Sequence, residues 1–175
     1  MYPGYYRHSA MNSEQAVFNY LDSLNIDYQR FDHPPVFTVE EAEKHWQNIE
    51  ARHCKNIFLR DAKGRQHFLV VAPIEIKLDI RALWEQLGSS RLSFASEARL
   101  MKYLGLKPGS VSPFGLINDQ ENHVRVYLDE SLRQAPKLAF HPNINTITLA
   151  IARPDLERFF EQVGNTWTYI GLPVN

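Results

Sequence analysis

The sequence predicts a single domain of the mixed α/β class. Its 175 residues fit one domain with one hydrophobic core. Helical and strand-like patterns follow one another irregularly, with a hairpin in the middle, and do not show the regular strand–helix alternation of a parallel sheet. The chain also contains no internal repeat, no linker and no break in composition. These three features favour one domain that mixes helices and strands.

Composition limits the kind of protein this can be. The chain has 19 Lys and Arg against 20 Asp and Glu, a formal charge of -1, which argues against coating nucleic acid by charge but leaves room for local phosphate contacts. The single cysteine, Cys54, excludes an internal disulfide and favours a reducing compartment. Apolar runs such as 68–73 are far shorter than the roughly 20 residues that cross a bilayer. Without a secretory signal pattern either, we expect a cytoplasmic protein with no membrane association.

The first element is a helix that is predicted to begin at Asn12. Apolar residues recur on one face of it. Residues 1–11 precede this pattern and are expected to be an N-terminal extension of a domain that spans 12–170. Residues 27–32 then alternate weakly as a strand. The apolar residues of the helix are Val17, Leu21 and Leu24.

A second, short helix is predicted by its N-terminal motif. Thr38 and Glu41 have the spacing of a capping box, in which the side chain of each residue accepts a hydrogen bond from the backbone N–H of the other. The helix is expected to end near Trp46. Phe37 and Ala42 are placed to pack against each other across its start.

A β-hairpin is predicted in the middle of the chain. Residues 55–60 and 66–71 are strand-like, and the polar loop 61–65 suits the turn between them. Side chains alternate along the first strand, so one of its faces is expected to meet the core. One face carries Lys55, Ile57 and Leu59, and the other carries Asn56, Phe58 and Arg60.

The second half of the chain is predicted to contain three helices and two strands. Each helix is followed by a glycine, which suits the left-handed residue that ends many helices. The helices are residues 80–87, 96–104 and 154–163, and the strands are residues 124–128 and 146–150.

Two irregular segments are candidates for chemistry. Residues 108–118 hold two prolines and two glycines, so they cannot form a regular helix. Gly109 and Gly115 would let the backbone approach a ligand, and loop N–H groups could face a phosphate or a developing oxyanion. A loop that only turns a corner would need the same residues. Residues 140–146 include His141, an imidazole that can exchange hydrogen bonds near neutral pH, although any one of seven histidines could be structural.

Lys55 and a cluster of three other cations each have two interpretations. Lys55 could hold a phosphate or polarise a carbonyl at the mouth of an apolar cavity, or it could reach into water from a strand end. Three cations around the hairpin loop could contact a nucleic-acid backbone or could simply be solvated. They are Arg60, Lys63 and Arg65.

Several common chemistries are not indicated. No histidine or cysteine pair has a metal-ligand spacing in a supporting context, so no metal is expected. The chain has no nucleophile elbow, no P-loop and no dinucleotide fingerprint, and no cofactor is expected. Cys54 lacks the flanking signature of a catalytic thiol and is interpreted as an inert residue.

Five segments, in this order along the chain, resemble the YbaK/ProX family of prolyl-tRNA synthetase-associated editing domains. They are His33–Ala42, Lys55–Asp61, Leu92–Ser96, Pro108–Asp119 and Phe140–Thr146. The resemblance covers about residues 12–165 and is strongest to the alanyl-tRNA(Pro) deacylase branch. It implies a single domain with a mixed, partly closed sheet surrounded by helices. It also implies hydrolysis, in trans, of mischarged Ala-tRNA(Pro).

The resemblance assigns roles to residues. It implies that Lys55 binds the terminal phosphate or the substrate backbone, and that Asn56 and His141 orient water and the amino acid. Amides of the 109–115 loop would stabilise the oxyanion. The implied substrate-binding residues are Phe37, Thr38, Phe58, Gly109, Ser110, Ser112, Pro113, Gly115, Phe140 and Asn143, and the implied tRNA contacts are Arg60, Lys63 and Arg65.

The implied partners are the acceptor end of tRNA(Pro) and, transiently, prolyl-tRNA synthetase. Two alternatives stay open. One is a deacylase of the same fold that acts on Cys-tRNA(Pro), or on tRNA charged with serine or threonine. The other is a noncatalytic module that binds tRNA or a synthetase. A near-neutral chain suits an enzyme that holds only the acceptor end and releases tRNA quickly.

Overall fold

A computed structural model describes residues 13–175, and the predicted extension 1–11 lies outside the described residues. Eight strands form one mixed sheet in the order β1-β7-β6-β2-β3-β5-β8, with β4 paired to β2. The elements are α1 Ser13–Ser23, β1 Tyr28–Asp32, α2 Val39–Trp46, β2 Arg52–Arg60, β3 His67–Pro73, α3 Ile80–Gln86, β4 Ser93–Phe94, α4 Glu97–Leu104, a 3₁₀ helix Pro113–Asn118, β5 Val124–Asp129, a 3₁₀ helix Glu130–Gln134, β6 Lys137–Phe140, β7 Ile147–Ala152, α5 Arg153–Val163 and β8 Trp167–Ile170.

The predicted mixed α/β class is confirmed, as are the hairpin and all the predicted helices. The sheet is open, because its edge strands β1 and β8 do not pair with each other in the described part of the chain. Three strands, β4, β6 and β8, were not predicted. They have two to four residues each, which is too few for an alternating pattern to show. No helix within residues 13–175 is long and apolar enough to cross a membrane.

The sheet divides at β2. One edge of this strand pairs with β3 from residue 54 to residue 60. The opposite edge pairs with β6 at Arg52 and His53 and with β4 at Leu59 and Arg60. Between these two short pairings, residues 54–57 have no strand neighbour on that edge. The sheet therefore has a gap beside Lys55.

Both faces of β2 and β3 contribute residues to a hydrophobic core, which corrects the expectation that one face of β2 meets the core. Phe58 and Val71 belong to the main core, which also contains side chains of α1, α4 and α5. Leu59 and Val70 belong to a smaller core that includes Leu83 of α3. The second core exists because α3 covers the face of the sheet that would otherwise be exposed.

The start of α2 differs from the prediction in two respects. Thr38 caps the helix by accepting a hydrogen bond from the Glu41 amide at 3.2 Å, as expected. The Glu41 carboxylate, however, accepts from the amide of Phe37 at 2.8 Å. The Phe37 side chain is 81% exposed, so its predicted packing on Ala42 is wrong. Val36 is the buried apolar residue before this helix.

Candidate active site

A pocket of about 180 Å³ opens at the gap in the sheet beside β2. It lies between that strand, the start of α2 and the loop before the first 3₁₀ helix. Sites for drug-sized ligands have volumes of roughly 300 Å³ or more, so this pocket suits a small group. Its lining residues are Val36, Phe37, Thr38, Ala42, Trp46, Cys54, Lys55, Asn56, Ile74, Gly109, Val111 and His141.

Lys55 brings a positive charge to this pocket. Its ammonium group donates a hydrogen bond to the carbonyl of Ile76, which follows β3. Burial lowers the pKa of Lys55. No carboxylate among residues 13–175 forms an ion pair with it. The charge is therefore held in place and left free to meet an anionic or carbonyl oxygen of a ligand.

Asn56 has one satisfied and one unsatisfied side-chain atom. Its Nδ2 donates to the carbonyl of Val111 at 3.1 Å, which ties β2 to the loop across the pocket. Its Oδ1 is buried and has no donor among the described residues. A buried acceptor without a partner costs about 1–3 kcal/mol. Asn56 can therefore accept a hydrogen bond from a ligand or from water.

His141 is held in one tautomer. Its Nδ1 lies 2.8 Å from the carbonyl of Ile147, an acceptor, so Nδ1 carries the proton and Nε2 is left as an acceptor. Burial lowers the pKa of His141, and the hydrogen bond to Ile147 opposes this shift. The imidazole is consequently neutral near pH 7. The backbone carbonyl of His141 accepts a hydrogen bond from the Ser112 hydroxyl at 2.6 Å.

The loop before the 3₁₀ helix lines the pocket with two residues whose amides are free. The amides of Ser110, Phe114 and Gly115 already donate to acceptors within the loop. Those of Gly109 and Val111 have no acceptor among the described residues, and both residues line the pocket. Gly109 has a φ of 85°, a conformation that favours glycine. These two amides are the donors that the loop can present to an oxyanion.

Six of the predicted catalytic and substrate-binding residues line the pocket: Phe37, Thr38, Lys55, Asn56, Gly109 and His141. Two predicted wall residues do not. Phe58 is buried in the main core and stacks on His67, with ring centroids 5.6 Å apart. Phe140 packs edge-to-face on Phe114 at 6.2 Å. Both side chains lie in the main core, so neither contributes to the wall of this pocket.

The other predicted binding residues do not line the pocket. Ser112 is fully buried, and its hydroxyl joins the loop to the backbone of His141. Asn143 is buried with a φ of 63°, and both polar atoms of its side chain lack partners among the described residues. The remaining residues of this group are Ser110, Pro113 and Gly115.

Several lining residues were not predicted. Ala42 and Trp46 lie four positions apart on α2 and so share one face. Because the capping box predicts this helix, their shared face could have been recognised from the sequence. Trp46 stacks on His53 with ring centroids 4.2 Å apart. Cys54 contributes to the wall, and burial raises the pKa of its thiol to about 12. This supports the interpretation of Cys54 as an inert residue. The others are Val36, Ile74 and Val111.

The predicted tRNA contacts lie elsewhere. Arg60 and Lys63 line a separate groove at the far end of β2. Arg65 is exposed on the hairpin loop and does not line that groove.

Comparison with known proteins identifies the class to which this fold and site belong. The family model "Aminoacyl-tRNA editing domain" matches residues 33–159, a range that includes every lining residue of the pocket. The chain belongs to the aminoacyl-tRNA editing domain family. It is an aminoacyl-tRNA deacylase with tRNA as its substrate partner.

Individual relatives are also similar over nearly the whole chain. "Prolyl-tRNA editing protein ProX" of Acetoanaerobium sticklandii is 47% identical over 163 residues, 93% of this chain and 99% of the relative. "Prolyl-tRNA synthetase associated domain-containing protein 1" of Danio rerio is 36% identical over 149 residues, 84% of this chain and 80% of the relative. The fold matches a crystal structure described as "a putative trans-editing enzyme for prolyl tRNA synthetase", with a TM-score of 0.71, 18% identity, and coverage of 95% of this chain and 100% of that one.

Proposed function

We propose that this deacylase acts in trans on tRNA(Pro) mischarged with alanine and releases alanine and free tRNA(Pro). One observation carries the proposal: a pocket of about 180 Å³ is lined by the Lys55 ammonium, the residue Asn56 with its unpaired acceptor, and two free loop amides. The names of the relatives, a prolyl-tRNA editing protein and a synthetase-associated domain, support the choice of tRNA(Pro).

The pocket residues match the groups of an aminoacyl ester. The substrate's α-ammonium would donate to Asn56 Oδ1. Its carbonyl oxygen would face the amides of Gly109 and Val111, which would stabilise the negative charge of the tetrahedral intermediate. Lys55 would contact the terminal phosphate or another oxygen of the substrate backbone.

The reaction then needs a positioned water and no protein nucleophile, because the ester is already activated. Water bonds to the carbonyl carbon, and the bond between that carbon and the ribose oxygen breaks. His141 Nε2 would accept a hydrogen bond from the water and orient it. The proton that the water loses ends on the ribose oxygen, with the neighbouring ribose hydroxyl as a relay.

Selection of the amino acid is attributed to pocket size. Val36, Ala42 and Ile74 give the pocket an apolar wall, which would accept the methyl group of alanine and exclude the proline ring by steric clash. Such a filter is useful because one methylene is worth only about 1–3 kcal/mol of discrimination in a synthetic site. Cysteine and serine are close to alanine in size and are the main alternatives.

The acceptor end of the tRNA would approach over the rim of the pocket. Phe37 lies on this rim and is 81% exposed, so its ring offers a stacking surface to the terminal base. We place the editing domain at residues 12–170. A transient contact with prolyl-tRNA synthetase would return the freed tRNA to its synthetase.

The test is deacylation by purified protein of tRNA(Pro) charged with alanine, cysteine, serine or proline. We expect rapid release of alanine and no release of proline. Cleavage of Cys-tRNA(Pro) without cleavage of Ala-tRNA(Pro) would contradict the assignment of alanine. Cleavage of none of the four would contradict the proposed substrate as a whole.

A further inference from the structure

Lys55 differs from the other lysines of the chain in its surroundings. Five of the seven lysines are exposed, and only Lys55 and Lys137 are half-buried. Of the seven, Lys55 alone lines the candidate active site. The lysines are Lys44, Lys55, Lys63, Lys77, Lys102, Lys107 and Lys137.

One hydrogen bond holds the Lys55 side chain in place. Its Nζ donates to the carbonyl of Ile76, and no carboxylate of residues 13–175 forms an ion pair with it. This hydrogen bond needs a single N–H, which a neutral amine has as well as an ammonium. Loss of a proton would therefore leave Nζ in the same place, with a lone pair that the protein does not use.

Burial favours the neutral form of this amine. An ordinary lysine, with a pKa of about 10.4, is only about 0.1% neutral at pH 7.5. Burial lowers the pKa of Lys55, and the side chain has no paired carboxylate to oppose this shift. Desolvation in a pocket is one of the ways in which proteins make a lysine nucleophilic. Lys55 is therefore better suited to attack a carbonyl carbon than the exposed lysines are.

The pocket around Lys55 also suits a small acyl group. Gly109 and Val111 line it, and their amides have no acceptor among the described residues. Amides that meet an acyl carbonyl oxygen stabilise the oxyanion that forms during nucleophilic attack. Val36, Ala42 and Ile74 supply an apolar wall for a methyl group. The volume of about 180 Å³ restricts the acyl chain to a few carbons.

The thiol in the same pocket does not compete with the amine. Cys54 lines the wall, and burial raises the pKa of its thiol to about 12. Attack on an acyl carbon requires the thiolate, which is almost absent at neutral pH when the pKa is so high. Covalent modification is therefore expected at Lys55 and not at Cys54.

We propose that Lys55 is a site of covalent modification by small activated acyl groups, of which acetyl is the simplest, and that this modification closes the pocket. The ammonium first loses a proton to solvent. Nζ then bonds to the acyl carbon, while the bond from that carbon to the phosphate oxygen of an acyl phosphate, or to the sulfur of an acyl thioester, breaks. The leaving group departs with the electron pair, Nζ releases a second proton to solvent, and the product is a neutral amide.

The modification would change the pocket in two ways. It removes the positive charge of Lys55, and it places an acyl group in space that a ligand would occupy. An amide lacks the activated leaving group of the acyl donor, so water would not readily reverse the reaction. The inference depends on the geometry of the pocket and not on the identity of the tRNA substrate.

The test is treatment of the purified wild-type chain with acetyl phosphate or, in a second arm, with acetyl-coenzyme A. Mass spectrometry of peptides then gives the acetylated fraction of each lysine over time. In at least one arm, we expect the initial rate at Lys55 to be at least about tenfold the rate at Lys137, the matched half-buried lysine. In concentrated urea, which removes the pocket, the two rates should become similar. Reaction in either arm supports the site and identifies its acyl donor.

A variant tests whether the acyl group enters the pocket. Ala42 is buried and belongs to the apolar wall, so Ala42→Leu would fill the space that the methyl group needs. We expect this variant to lower the rate at Lys55 by about tenfold and to leave the rate at Lys137 unchanged. Equal rates at Lys55 and Lys137 in the folded wild-type chain with both donors, or an unchanged rate at Lys55 in the variant, would overturn the proposal.

The mass measurement needs no tRNA, so its result is independent of the proposed function. Loss of alanine release from Ala-tRNA(Pro) in step with acetylation of Lys55 would support closure of the pocket, and unchanged release by a fully acetylated chain would overturn it. A chain that becomes acetylated at Lys55 but cleaves no Ala-tRNA(Pro) before treatment would contradict the proposed function and support the modification site.

Discussion

Lys55 and Asn56 differ from the polar residues around them in what their side chains lack. Ser112 donates to His141 and accepts from Phe114, so its hydroxyl is used within the protein. Lys55 has no counter-ion among residues 13–175, and Asn56 has a buried oxygen without a donor. Folding leaves both groups with interactions that a substrate can complete.

The first prediction concerns the charge of Lys55. Lys55→Ala should lower kcat/KM for Ala-tRNA(Pro) by about 100-fold or more, because the oriented positive charge that contacts the terminal phosphate or another oxygen of the substrate backbone is lost. The measurement is the initial rate of alanine release. Lys137→Ala is the matched control, since Lys137 is also half-buried and donates to one acceptor, the side-chain oxygen of Gln29 in β1. Equal rates for the two variants would show that Lys55 has no part in the reaction.

The second prediction concerns the protonation of His141. Protonation at Nε2 would replace an acceptor with a donor, so kcat/KM should fall as the pH drops through the pKa of His141. Because burial lowers that pKa, the acidic limb should have its midpoint below the ordinary value of about 6.5. A pH–rate profile measures this. His141→Asn should abolish the limb and lower the rate; a profile that keeps the limb would assign it to another group.

At the scale of elements, the site depends on where strand pairing stops. β2 continues past the ends of β6 and β4, and the loop before the first 3₁₀ helix crosses the gap between them. The 3₁₀ helix is in turn packed against the end of α4. Gly115 is a point of close approach, because a Cβ there would lie 2.8 Å from a methyl group of Leu106 and 3.0 Å from the carbonyl of Leu104.

The third prediction tests this packing. Gly115→Ala should lower the free energy of unfolding by about 1–3 kcal/mol, because the added methyl group forces α4 and the 3₁₀ helix apart. Gly171→Ala is the control, since a Cβ at Gly171 would meet nothing within 4 Å, and should change stability by no more than about 0.5 kcal/mol. Urea unfolding measures both. Equal stability of the two variants would show that the contact can relax without cost.

At the scale of the whole molecule, the sheet is stabilised by cores on both of its faces. His67 of β3 lies within the buried structure, between the rings of Phe58, Tyr103 and His123. It is fully buried, and its pKa is lowered to about 4. A group that is neutral when folded and titrates normally when unfolded makes stability depend on pH.

The fourth prediction is this pH dependence. Below the unfolded pKa of about 6.5, the unfolded chain binds a proton at His67 that the folded chain rejects, so stability falls as the pH drops from about 6.5 toward 4. This residue should account for a loss of about 2 kcal/mol between pH 7.5 and pH 5. Urea unfolding at the two pH values measures the loss. His67→Phe should reduce the difference by that amount, whatever its own stability; an unreduced difference would assign it to other groups.

Much of the chain was predictable because its signals are local. The hairpin and the helices follow from periodicity and capping residues, and Lys55, Asn56 and His141 follow from ordered motifs. The pocket walls were not predictable to the same degree. Phe58 and Phe37 are both large aromatic residues near motif positions, yet one is in the core and the other is in solvent. Their difference depends on which elements cover them.

The near-neutral composition, the mixed α/β class and the family resemblance were determined by the sequence itself, because each is a property of residue type and order. Only the tertiary structure determines that the sheet has a gap beside β2 and that the amides of Gly109 and Val111 have no acceptor among the described residues. It also determines that Phe94 and Arg99 lie beside the cations of the hairpin loop. These features depend on contacts between residues far apart in the chain. No local pattern records such contacts, because their free energy comes from packing and from hydrogen bonds that form only after the sheet has assembled.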